Sequence, residues 1–155
     1  MNTLKNWYEA LIVFCDRFRS PLLLAMRLYW GWLLFQAGLG KLENIGAFAK
    51  NLSAMNFPFA YQQAYIAATI ECVGGFCLMI GFASRLMAIP VIVTLLVAYA
   101  TAHRTALISI FSKPQEFISQ APFLYILTAL LVLAFGPGKL SIDYFIQRVI
   151  FKKPE

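Results

Sequence analysis

Apolar residues fill four long runs, at about 21–39, 61–82, 86–102 and 121–135, with only short mixed segments between them. A hydrocarbon core is crossed by roughly 20 apolar residues in a helix. Inside it every backbone N–H and C=O must find its partner within the segment, a condition that a helix meets. The expected fold is therefore all-α: an integral membrane four-helix bundle with flanking amphipathic interfacial helices. The chain is 61% hydrophobic and 13% charged, against about 25% charged in an average soluble domain. Its 155 residues hold four spans and short links but no separate soluble domain, so a single transmembrane domain, 1–155, is expected.

The segments around the runs carry their own patterns. Leu4, Trp7, Leu11, Phe14 and Phe18 recur at helical spacing opposite Asn6, Glu9, Asp16 and Arg17, which predicts an interfacial helix over about 3–19. Pro21 then opens the first span, where its missing N–H costs little. The first twenty residues carry Lys5, Glu9, Asp16, Arg17 and Arg19 and lack an apolar core with a small-residue cleavage site, so no removable signal peptide is expected. Residues 42–60, broken by Pro58, read as a re-entrant or interfacial connection. Ala83, Ser84 and Arg85 alone part the second and third runs, which implies a tight antiparallel pair, and Pro90 predicts a kink in the third. Ser112, Pro114 and Gln115 resemble the start of a short helix with a capping box. Ser141 suits the N-cap of a last amphipathic helix over about 142–151, with Ile142, Phe145, Ile146, Val149 and Ile150 on one side and Asp143, Gln147 and Arg148 on the other.

The formal charge of +6 points to the lipid bilayer rather than to nucleic acid, because the basic residues lie between apolar blocks instead of forming a stripe. They also give an orientation, since translocating Lys and Arg is disfavoured. With both termini cytoplasmic, Lys5, Arg17, Arg19, Arg85, Lys139, Arg148, Lys152 and Lys153 lie inside, against Lys41, Lys50, Arg104 and Lys113 outside.

Two charges fall within the runs. Arg27 lies about 10 Å into the first and Glu71 near the middle of the second, at a cost on the order of 3 kcal/mol each unless they face the interior and find a partner. The simplest arrangement pairs Arg27 with Glu71, with Gln36 as a further polar member. Such a pair serves equally as a clamp on helix register or as a ligand or proton site. Arg27, Gly31, Phe35 and Gly38 share one helix face, a small-residue groove that lets another helix approach; Gly74, Gly75 and Gly81 suggest the same for the second run. Lys41 and His103 fall near the outer ends of their helices, and one His does not make a metal site. Tyr29, Trp30, Trp32 and Tyr99 either line a pocket for a planar ligand such as a quinone or act as packing residues and belt anchors. Cys72 and Cys77, five apart, form no CxxC pair and, with Cys15, read as inert thiols. The sequence carries no phosphate-binding Gly-rich loop, HExxH or GxSxG.

Jointly, several blocks resemble the DoxX family of small bacterial membrane proteins: Arg27 followed by Gly38, Gly40 and Lys41; Glu71 to Gly75 running on to Gly81 and Arg85; Ala98 to His103; and the closing FGPGKLSID, residues 135–143. The resemblance implies a four-span protein of the bacterial inner (cytoplasmic) membrane. Relatives are similar to the membrane subunit of thiosulfate:quinone oxidoreductase, to a partner in a mycobacterial oxidative-stress complex, and to proteins encoded beside copper-handling peptide systems. The expected function is thus a non-catalytic membrane subunit or partner of a redox-linked (quinone, sulfur or oxidative/copper stress) system. It would act with a membrane or soluble redox partner protein or as a homo-oligomer, Arg27, Glu71 and Gln36 forming a buried polar site that orders the bundle and contacts a quinone or small acid. The alternatives are a permease-like oligomer moving a small molecule or proton, and a purely structural membrane scaffold.

Overall fold

The computed structural model describes residues 2–150. The side chains of residues 2–6, Val13 and Asp16 lie outside the description, and so do the expected last residue of the final helix, 151, and the basic tail, Lys152 and Lys153. The described chain is all-α, with eight helices: α1 (Asn2–Glu43), α2 (Ile45–Ala54), α3 (Ala60–Ile80), α4 (Ser84–Thr101), α5 (Arg104–Ile108), α6 (Pro114–Ile118), α7 (Ala121–Phe135) and α8 (Ile142–Ile150).

Helix α1 corrects the first expectation. No break separates an interfacial helix from the first span; one helix of 42 residues runs through Pro21. A proline inside a helix removes one donor and frees the carbonyl four residues earlier. That carbonyl belongs to Arg17, in an exposed and polar stretch, where other donors can meet it. The apolar face of the first turns stays uncovered, with Trp7 76% and Phe14 59% exposed. Pro90 likewise lies inside an uninterrupted α4.

Helices α1, α3, α4 and α7 pack in a ring, α1 along α3, α3 along α4, α4 along α7 and α7 back on α1. The centre is made of Leu34, Leu78, Ala88, Val91, Leu95, Ala129 and Val132. Small residues bring the backbones together. A Cβ on Gly31 would lie 3.0 Å from the Met79 nitrogen, and one on Gly75 would lie 2.5 Å from the Phe35 nitrogen, so the expected groove is the α1–α3 seam. The outward surface is as apolar as the centre: Ile66, Val73, Phe76, Ile89, Val93 and Leu96 are all exposed. A helix that is hydrophobic all round needs an apolar solvent on its outer side. Three helices, Trp7–Glu43, α3 and α4, are long and apolar enough to cross a membrane. The chain is a membrane protein. Helix α7 is apolar throughout, but its 15 residues span about 22 Å, less than the roughly 30 Å of a hydrocarbon core.

The connections refine the expected limits. The α3–α4 turn is Gly81 to Ala83, not Ala83 to Arg85; Ser84 and Arg85 already belong to α4. Gly81 takes the left-handed conformation (φ 75°, ψ 37°) and its N–H returns to the Cys77 carbonyl, a common helix ending. Helix α6 is capped at Lys113 and without a side-chain hydrogen bond, so Ser112 does not form the expected capping box. Ser141 does cap α8, its Oγ accepting from the Tyr144 N–H at 3.1 Å.

Candidate functional site

The antiparallel register of α1 and α3 decides which charges meet. Gly31 stands against Gly75 and Met79, and Gly38 against Cys72. This register sets Arg27 beside Gly81 and Glu71 beside Lys41. Arg27 and Lys41, fourteen positions apart on one helix, are separated by about 21 Å along its axis. The expected Arg27–Glu71 pair is therefore not formed, and two separate centres take its place.

At the first centre, Lys41 Nζ donates to both carboxylate oxygens of Glu71, at 2.6 Å to Oε1 and 2.5 Å to Oε2. The Glu71 side chain is 3% exposed and that of Lys41 33%. The ammonium also lies 5.2 Å from the ring centroid of Phe48, which α2 supplies. The pair has this form because α3 extends past the end of α1, and α2 packs along α3 there. Glu71, midway along α3, thus meets the last turn of α1. A carboxylate out of water is tolerated when an opposite charge and hydrogen bonds compensate it, and Lys41 supplies both.

Arg27, fully buried, forms the second. Its Nη2 donates to the Leu140 carbonyl at 2.7 Å, while Nε and Nη1 have no hydrogen-bond partner among the described residues. Leu140 belongs to the segment between α7 and α8, which folds across this end of the ring. Asp143 fastens it: its carboxylate accepts from the Ala83 N–H (2.7 Å) and the Ser84 N–H (2.9 Å), and its own N–H donates to the Gly81 carbonyl (2.9 Å). These bonds hold Ala83 in the left-handed region (φ 45°, ψ 33°), where a non-glycine residue costs about 1–2 kcal/mol. Asp143 also places a negative charge at the N-terminus of α4, where the helix dipole favours it.

The remaining expected site residues are dispersed. Gln36 is exposed on α1, so it takes no part in a buried polar cluster; its position falls on the face turned away from the α1–α3 seam. His103 is half-buried and meets the edge of the Tyr99 ring (5.9 Å); neither hydrogen bond nor ion pair joins it to Lys41 or Glu71 among the described residues. The aromatic residues do not share a pocket. Tyr29 and Trp32 are 61% and 46% exposed, and Trp30 packs on Tyr125. Tyr99 is buried, stacks on Phe117 at 4.7 Å and donates to its carbonyl, lining an apolar cavity of about 190 Å³ with Leu96, Phe123 and Ile126. Asp143 was read as part of a polar helix face and as the last residue of the 135–143 block, not as the residue that fastens the closing segment to α4. The signal that marks it is its place two residues after an N-cap serine, in a segment whose glycines let the chain fold back.

A family model described as DoxX matches residues 22–104, more than half of the chain. The match takes in Arg27, Lys41, Glu71 and His103 and stops short of the closing segment. A relative from Haemophilus influenzae, described as an uncharacterized protein, is 28% identical over 131 residues, covering 82% of this chain and 84% of its own. No solved structure matches. By the family-model match, which runs across three of its apolar helices and more than half of its length, the chain belongs to the DoxX family.

Proposed function

We infer that the chain is a non-catalytic membrane subunit of a redox-linked complex in a bacterial inner membrane, and that the Lys41–Glu71 pair is its contact for a quinone or small acid. The carrying observation is the asymmetry of that pair: a carboxylate 3% exposed behind an ammonium 33% exposed. A carbonyl or carboxylate oxygen arriving at this mouth can accept from the ammonium, which the Glu71 carboxylate behind it holds in place. The family resemblance, to membrane partners of redox and sulfur chemistry, supports the same reading. In this reading α7 makes a fourth crossing and both termini are cytoplasmic. The closing segment, with Arg19, Arg85 and Lys139, then lies on the cytoplasmic side, in line with the bias of basic residues.

The test is thermal unfolding of the purified protein with added quinone analogues. The wild type is expected to gain stability and Glu71→Gln to gain none; no shift in either removes the quinone contact. Solute uptake by the chain alone in liposomes would assign it to the permease class instead. Reporter fusions at the two termini test the orientation, which is lost if they report opposite faces.

A further inference from the structure

The closing segment roofs a cleft of about 650 Å³ at the end of the molecule opposite the Lys41–Glu71 pair. Three cations line it, Arg19 from α1, Arg85 from the first turn of α4 and Lys139 from the closing segment. None of them has an ion-pair partner among the described residues. Arg19 is positioned, its Nη2 donating to the Phe135 carbonyl at 2.9 Å and its guanidinium 4.9 Å from the Phe135 ring centroid. Arg85 lies against Gly136, where a Cβ would come within 3.2 Å of its Nη2. Gly136 and Gly138 both have positive φ, 78° and 82°, and this carries the chain around the guanidinium. Among the described residues the lining holds one carboxylate, Asp143, which accepts from the Ala83 and Ser84 N–H groups; against the three cations it leaves the cleft an excess of positive charge.

The walls are not only basic. Leu86, 70% exposed, and Phe135, 53% exposed, also line the cleft and continue the outward apolar surface of α4 and α7. Beside it, α8 leaves Phe145, Val149 and Ile150 exposed, an apolar face of the kind that lies in a headgroup layer. A site with cations at its rim and hydrocarbon-facing side chains beside them fits an amphiphilic anion better than a freely soluble one.

We propose that this cleft binds the phosphate of an acidic phospholipid headgroup, with Arg85 and Lys139 contacting the phosphate and Leu86 and Phe135 packing on the glycerol and the first acyl carbons. Two guanidinium groups and an ammonium suit the oxygens of a phosphate diester, and the site is separate from the lysine–glutamate centre.

The test uses the full chain in an uncharged maltoside detergent, heated with phosphatidylglycerol, phosphatidylcholine or inorganic phosphate, with the unfolding midpoint read from tryptophan fluorescence. At a lipid concentration about ten times the Kd, phosphatidylglycerol is expected to raise the midpoint by about 3 °C or more, and phosphatidylcholine to leave it unchanged. The Arg85→Gln/Lys139→Gln variant is expected to lose that rise. Lys50→Gln/Arg104→Gln, which removes the same charge at the opposite end, is expected to keep it. Arg85→Gln alone, whose side chain makes no hydrogen bond among the described residues, is measured in parallel and is expected to reduce the rise, so the comparison survives poor folding of the double variant. An equal rise with both lipids, or an equal loss in both double variants, overturns the site. A rise with inorganic phosphate that matches the lipid's overturns the headgroup as occupant and assigns the cleft to soluble phosphate.

Discussion

At one end of the molecule a buried cation is met by a backbone carbonyl; at the other a buried carboxylate is met by a lysine. Arg27 sits fully inside the ring and is held by Leu140, which the closing segment lays over it. Glu71 is as deep, but its partner reaches it from a half-open mouth. A carbonyl cannot be titrated or drawn away, so the Arg27 end acts as a fixed lock. A lysine on a flexible stem can change partner, so the Glu71 end can respond to what arrives. Two charges that sequence alone would join in a single bond thus divide between fastening the fold and meeting the outside.

The strongest way to break this comparison is at the lock. Gly81→Val places a branched side chain at φ 75°, against the Arg27 guanidinium and Ser141, and is expected to cost more than about 3 kcal/mol; size-exclusion chromatography in detergent should then show no monodisperse peak. At the responsive end the cost should be recoverable. Lys41→Ala strands the Glu71 carboxylate and is expected to lower stability by about 3 kcal/mol, whereas Lys41→Ala with Glu71→Gln should regain most of it. A thermal double-mutant cycle measures this, and additive losses would mean that the two residues are not coupled. The smallest effect is again at the lock: Ala83→Gly relieves the left-handed alanine and is expected to stabilise by about 0.5–1 kcal/mol, a rise of a few degrees in the unfolding midpoint.

The helices were legible because hydrophobicity has a length scale. The runs expected at 61–82, 86–102 and 121–135 appear as α3, α4 and α7 with limits moved by at most two residues, since Gly81 and the Gly136–Gly138 block stop the chain locally. The join at Pro21 was misread because a proline's effect depends on whether the carbonyl it frees is exposed, and that is a tertiary fact. The groove of Gly31 and Gly38 was legible as a face but not as a register. Only the offset of α3 past the end of α1, where α2 fills in, tells that Glu71 stands level with Lys41 rather than with Arg27. Asp143 was least visible of all. Its partners are backbone N–H groups sixty and fifty-nine residues away; its place after the N-cap serine marks the residue but not which backbone groups it reaches.

The bond from Arg27 to Leu140 crosses 113 positions of the chain, which bears on how the protein comes off the ribosome. The first helix must enter the bilayer with its guanidinium still unmet, and it waits there through nearly the whole of translation. Only when the last stretch emerges can the nascent polypeptide close over it. A product truncated between Phe135 and Leu140 would keep all four apolar helices of the ring yet lack this latch, leaving the guanidinium without its carbonyl.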